Sequence, residues 1–116
     1  GGCSPQMDTL PVKQHLIPYW HLPGKPIKRS PHITLVILVM HGWSRHGDFV
    51  TCVMRRAALE TLGAKMVAER VLVVAPQVDA SRTEGRPKGS WYWEGTEWKS
   101  GAGGFFVAID AFFSAF

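Results

Sequence analysis

The sequence predicts an α/β fold: part of a parallel sheet with flanking helices, preceded by an extended N-terminal segment. Three observations carry this. Two apolar, β-branched runs at residues 33–40 and 71–75 read as buried strands, a stretch of helical periodicity lies between them, and six of the eight prolines fall within residues 1–32. Two strands joined through a helix favour a right-handed crossover and parallel pairing. The 116 residues are one domain's worth of chain, enough for a single core. They divide into a Pro-rich segment, residues 1–32, and an α/β body, residues 33–116.

Pro5, Pro11, Pro18, Pro23, Pro26 and Pro31 leave no room for a helix in the first segment. Its short apolar stretches, residues 10–12 and 16–20, suit edge strands or extended coil. Lys25, Lys28 and Arg29 form a small basic patch that reads as a solvated loop. The run Ile33-Thr34-Leu35-Val36-Ile37-Leu38-Val39-Met40 lacks polar alternation, which fits a strand covered on both faces. A turn follows, from His41 through Gly42, Trp43, Ser44, Arg45, His46 and Gly47 to Asp48, with Asp48 placed to cap the next helix. Residues 49–62 have helical spacing, with Phe49, Val53, Ala57 and Leu62 near one face and Gly63 placed to end the helix. Val71-Leu72-Val73-Val74-Ala75 is the second strand, stopped by Pro76. Residues 76–104 make a long polar loop with Trp91, Tyr92, Trp93 and Trp98, and loops of that length inside a domain are usually functional or poorly ordered. Phe105, Phe106, Ile109, Phe112, Phe113 and Phe116 recur at spacings of three and four, which predicts a closing helix that something must cover.

Composition excludes several classes. Charged residues are 19% of the chain and apolar runs are dense, which argues against intrinsic disorder. Two cysteines are too few for a disulfide scaffold or a four-cysteine zinc module. Cys52 falls within the first helix and reads as a buried, inert thiol. Gly1-Gly2-Cys3-Ser4 is similar to the junction of a bacterial lipoprotein, where the cysteine is lipidated; the alternative is an ordinary surface cysteine. The longest apolar run is eight residues, against roughly 20 for a membrane-spanning helix. A net charge of +4 does not by itself imply a nucleic-acid partner.

The most informative chemical feature is His41-Gly42 at the end of a buried strand. Ligands of open α/β sheets collect at the carboxyl ends of strands, and glycine permits close backbone approach there. His41, His46 and Asp48 match no zinc signature, and Gly101, Gly103 and Gly104 follow no strand and form no dinucleotide fingerprint. No metal and no cofactor is expected. Lys88, Lys99 and the tryptophans around them suit either the rim of an apolar site or a nucleic-acid stacking surface, and with no nucleic-acid motif elsewhere the rim is preferred.

The strand ending in His41-Gly42-Trp43-Ser44-Arg45, the helix after it, and Val71-Leu72-Val73-Val74-Ala75-Pro76-Gln77 together resemble the front half of an α/β-hydrolase domain. The loop from Trp93 through Glu94, Gly95, Thr96, Glu97, Trp98, Lys99 and Ser100 to Gly101, with the helix after it, is similar to the corresponding stretch of an esterase- or lipase-like branch of that superfamily. The resemblance covers residues 33–116, and residues 1–32 are compatible with the family's N-terminal strands. It implies a serine-dependent ester hydrolase acting on a small ester or acyl substrate. In that fold the loop after this strand supplies a backbone N–H of the oxyanion hole. The resemblance places that donor at Trp43, with Gly42 and His41 shaping the loop and Trp43, Trp93 and Trp98 lining the substrate pocket.

The chain departs from the family pattern in one respect. It has no G-x-S-x-G elbow and no acid and histidine following in the expected order. Ser44 follows a strand and precedes a helix, but His46 stands where an elbow needs a small residue; Ser90 and Ser100 have no elbow around them. The expectation is therefore an N-terminal portion of the hydrolase, which provides the oxyanion loop and lacks nucleophile, base and acid. It is expected to associate through exposed apolar surface. The alternative is a small basic α/β binding module that uses the tryptophan loop to hold a ligand or nucleic acid.

Overall fold

The computed structural model describes residues 3–12, 15–23, 31–41, 46–79, 90 and 105–116. Strands β1 (Gln6–Val12) and β2 (His15–His21) open the chain, followed by β3 (Leu35–Leu38), α1 (Gly47–Leu62), α2 (Ala64–Arg70), β4 (Val71–Pro76) and α3 (Phe105–Phe113). Among the described residues the sheet runs β1-β2-β4-β3. β3 and β4 pair in parallel, as the strand–helix–strand pattern predicts, with Leu35 opposite Val71. β2 pairs antiparallel with both β1 and β4, so the sheet is mixed rather than wholly parallel.

The N-terminal stretches are therefore strands, but β2 is interior, not an edge. Its proline fits there because of where the ladder stops. The Pro18 carbonyl accepts the Gln77 N–H at 2.8 Å, one residue past the end of β4, and the N–H that proline lacks would have pointed the same way. Pro18 thus takes one bond and cannot return the other, and the ladder ends.

Period-two alternation sorts the core into two layers. Val71, Val73 and Ala75 of β4, with Val39, Ile37 and Trp20, face α1 and α2 through Val50, Met54 and Met66. Leu72 and Val74 face the other way, joining Ile17, Tyr19, Val12 and Val78 against Ala108 and Phe112 of α3. All six residues of β4 are buried, as its unbroken apolar sequence requires. β3 is less covered than its sequence implies: it lies at the sheet edge, and Leu35 is exposed.

α1 buries a different face from the one its large residues mark. Phe49 and Val53 are 67% and 51% exposed, and Leu62 is exposed too. Gly47, Thr51 and Ala58 are the buried positions, with Val50 and Met54 beside them. Small residues on the inner face let the helix axis approach the sheet. Asp48 is not the cap either. His46 holds that position without a side-chain bond, while Asp48 Oδ1 accepts the N–H of Phe49 at 2.9 Å.

Gly63 ends α1, its N–H donating to the Leu59 carbonyl, and it also begins α2, a helix the sequence reading lacked. Its φ of 88° and ψ of 157° lie in a region almost restricted to glycine. α3 stops at Phe113, and residues 114–116 form a turn with Phe116 packed back on Tyr19. Tyr19 meets Phe112 and Phe116 edge-on, at centroid distances of 5.4 and 5.5 Å.

Cys3 and Cys52 form a disulfide, which corrects both cysteine readings. Cys52 is not a free thiol, and Cys3 is neither a lone surface cysteine nor open to thioether lipidation while the bridge stands. Among the described residues no helix is long and apolar enough to cross a membrane.

Candidate functional site

The carboxyl ends of β3 and β4 point the same way because the two strands are parallel. His41, just past β3, is 2% exposed, and its Nε2 accepts the N–H of Val78, just past β4, at 2.9 Å. An imidazole nitrogen that accepts carries no proton, so a neutral His41 ring keeps its proton on Nδ1.

Gln77 and Asp79 flank Val78, and both are buried. Gln77 Oε1 accepts the indole N–H of Trp20 at 3.0 Å and the backbone N–H of Gly47 at 3.2 Å. Its Nε2 donates to Asp79 Oδ1 at 3.0 Å. Gly47 is the first residue of α1, and it stands close against these partners. A Cβ there would lie 2.6 Å from both Gln77 Oε1 and Trp20 Cδ1, so the position requires glycine. One turn on, Thr51 Oγ1 donates to the Gly47 carbonyl at 2.8 Å. The result is a buried polar cluster past the carboxyl ends of the parallel strands, built from β2, β4's exit and the start of α1.

His41 is thus where the sequence places it, past the carboxyl end of a strand, and the structure adds its contact with a second strand's exit. Gly42, Trp43, Ser44 and Arg45 lie outside the described residues, as do Trp91, Tyr92, Trp93, Trp98 and Ser100 and the cations Lys25, Lys28, Arg29, Lys88 and Lys99. Ser90 is described: it is buried and bridged to Leu16. His46 and Asp48 are exposed, and among the described residues no three potential metal ligands gather.

The sequence reading missed Trp20, Gly47, Gln77 and Asp79. Polar Gln77 and Asp79 directly after a fully apolar strand were the available signal, since such residues stay buried only when hydrogen-bonded.

A second polar pair lies at the β1–β2 hairpin. His21 is buried, with Nε2 2.6 Å from Asp8 Oδ2 and Nδ1 3.2 Å from the Leu22 carbonyl. Each ring nitrogen faces one of these two acceptors, so neither is left for a substrate. The neighbouring Tyr19 hydroxyl is pushed above its ordinary pKa by burial first and by the Asp8 carboxylate second. An apolar cleft of about 460 Å³ lined by Cys3, Leu22, Arg55, Leu59 and Val67 lies by the carboxyl end of β2, apart from the His41 cluster.

Comparison with models of protein families, with curated proteins and with solved structures finds no match to this chain. Among the described residues, fold and cluster together define an α/β arrangement with a four-stranded mixed sheet and a buried polar cluster at its strand ends.

Proposed function

We propose that the chain is the N-terminal portion of a serine-dependent ester hydrolase of α/β-hydrolase type. It supplies the oxyanion loop and part of the pocket wall, and it lacks the nucleophile, the base and the acid. The observation that carries this reading is His41, buried at the carboxyl end of β3 and bonded to Val78 beyond β4. His41 therefore stands at the edge where open α/β sheets take their ligands. The antiparallel pair leading into a parallel crossover is compatible with the N-terminal strands of that superfamily.

On this reading the Trp43 N–H donates to the oxygen that gains charge when a serine attacks an ester carbonyl. A donor fixed in a water-poor site is worth about 3 kcal/mol to such a transition state. His41 frames the loop and is not the base, because its Nε2 already accepts a backbone N–H. The substrate is a small ester or acyl compound, with Trp43, Trp93 and Trp98 as the pocket-lining residues.

The test is the polypeptide that continues beyond Phe116. A G-x-S-x-G elbow after a further strand is expected within roughly 30 residues, since a strand and its loop are short. A fluorophosphonate should label that serine in the longer polypeptide and leave the 116-residue chain unlabelled. Replacing Trp43 by proline, which removes the N–H, should lower kcat for p-nitrophenyl butyrate by about a hundredfold. A continuation without strand and elbow, or labelling of Ser44, overturns the reading. Salt-dependent binding to nucleic acid would put the binding-module alternative ahead.

A further inference from the structure

We infer that the Cys3–Cys52 bridge is a thiol–disulfide exchange site for an anionic low-molecular-weight thiol, with Cys52 as the leaving sulfur and Arg55 as the residue that draws the anion. The site involves none of the residues of the hydrolase reading. Both cysteines are half-buried, so the bond is not sealed in the core. Together with Phe49, Val53, Arg55 and Arg56 they line a groove of about 470 Å³ on the exposed side of α1.

The helix sets the charges around the bond. Arg55 and Arg56 follow Cys52 by three and four residues, the spacing at which side chains on a helix surface are neighbours. Arg56 Nε lies 3.4 Å from Glu60 Oε1, but both side chains are well exposed and such a pair is weak. Arg55 is half-buried and has no ion-pair partner among the described residues. Among those residues no carboxylate lines the groove. Its charge therefore favours an anion, and the exposed Phe49 and Val53 give an organic one an apolar surface to lie on.

The chemistry is two successive displacements. A thiolate attacks Cys3 Sγ, forms a bond to it and expels Cys52 Sγ as a thiolate. Cations beside a thiolate stabilise it and make it the better leaving group, which sets the direction of attack. A second thiolate then attacks the sulfur of the first small thiol and releases Cys3 as a thiolate. The two small thiols end joined as one disulfide, two electrons have passed to the bridge, and the cysteines take up the two protons the thiols lost.

The experiment uses the oxidised 116-residue chain at fixed pH with excess reduced glutathione, a thiol of net negative charge, followed by alkylation and mass spectrometry. The rate of reduction is expected to stay flat in urea below the unfolding transition, because the folded chain is attacked directly. The trapped mixed disulfide should map to the peptide that holds Cys3. Arg55→Gln should slow glutathione by about fivefold and 2-mercaptoethanol, which carries no carboxylate, by about twofold. Arg55→Lys should restore both rates, and added salt should shrink the preference for glutathione. If Arg55→Gln does not fold, the salt dependence of the wild-type rate with each thiol decides the anion preference.

A rate that climbs from zero urea with the slope of global unfolding overturns the exchange site, because the bond is then reached only in the unfolded chain. A mixed disulfide on Cys52 overturns the direction of attack. Glutathione reduction indifferent to Arg55→Gln, or equal salt dependence with the two thiols, overturns the anionic class of the ligand.

Discussion

Gly47→Ala is the substitution on which the strand-end cluster can be judged most directly. Its Cβ would stand 2.6 Å from Gln77 Oε1, 2.6 Å from Trp20 Cδ1 and 3.0 Å from Trp20 Nε1. The Trp20 ring is not a flexible chain end, and Gln77 is tied by three bonds. Either the amide shifts and gives up its partners, or the first turn of α1 lifts off the sheet. Overpacking of this kind costs about 1–3 kcal/mol, and each buried donor left unsatisfied about 1–3 more. Helix propensity offsets about 1 kcal/mol at most, and less in the first turn. The net expectation is a loss of about 2–4 kcal/mol, or roughly 8–16 °C in Tm for a domain of this size. Thermal unfolding followed by circular dichroism, with urea unfolding to check that m is unchanged, measures it. The cost should shrink in a Gln77→Ala background, because the two residues then no longer compete for one space. A Gly47→Ala protein melting within about 2 °C of wild type, well inside the range expected for a bland surface change, would refute the close-approach argument.

Three further outcomes are expected. Replacing Cys3 and Cys52 by serine, or adding reductant, should lower stability by about 2–4 kcal/mol, because the bridge closes a long loop with a sequence separation of 49; identical urea midpoints with and without reductant would exclude it. Phe112→Ala should cost about 3–5 kcal/mol, while Phe113→Ala, on the exposed side of the same helix, stays within about 0.5; equal Tm shifts would mean that α3 is rotated. Above about pH 10 the unfolded chain releases the Tyr19 proton while the folded chain still holds it, so stability falls as pH rises. Tyr19→Phe should flatten that part of the profile relative to wild type, and parallel profiles would show that Tyr19 does not contribute.

What the sequence made legible was whatever obeys a period. β4, the helical character of α1 and α3, and the parallel β3–β4 pairing all follow from apolar runs and their spacing. β2's interior position did not, because Pro18, in a segment with six prolines, makes the stretch look like an edge, and the Pro18 bond to Gln77 explains how the ladder tolerates it. The buried face of α1 is not legible from residue size, because Phe49, Val53 and Leu62 mark an exposed stripe. The helix instead approaches the sheet through Gly47, Thr51 and Ala58, and leaves Phe49 outside. At the candidate site, His41 was legible from its place after a strand. Its partner was not, since a bond to the backbone N–H of Val78 depends on tertiary approach and leaves no mark in residue type. The Cys3–Cys52 bridge was hidden for the same reason: two cysteines so far apart in sequence carry no information about distance in space.

That bridge also limits how copies of this chain can exchange parts. Among the described residues β1 is an edge strand, and a hairpin at a sheet edge is the kind of unit that swaps between protomers when its hinge opens. Here the root of the hairpin is joined covalently to α1, whose inner face packs on β4. A hairpin that left its own sheet would have to carry the helix with it and strip Val73 and Ala75 of their cover. The oxidised chain is therefore held to intramolecular pairing on the β1 side, and reduction removes the tether that holds it there.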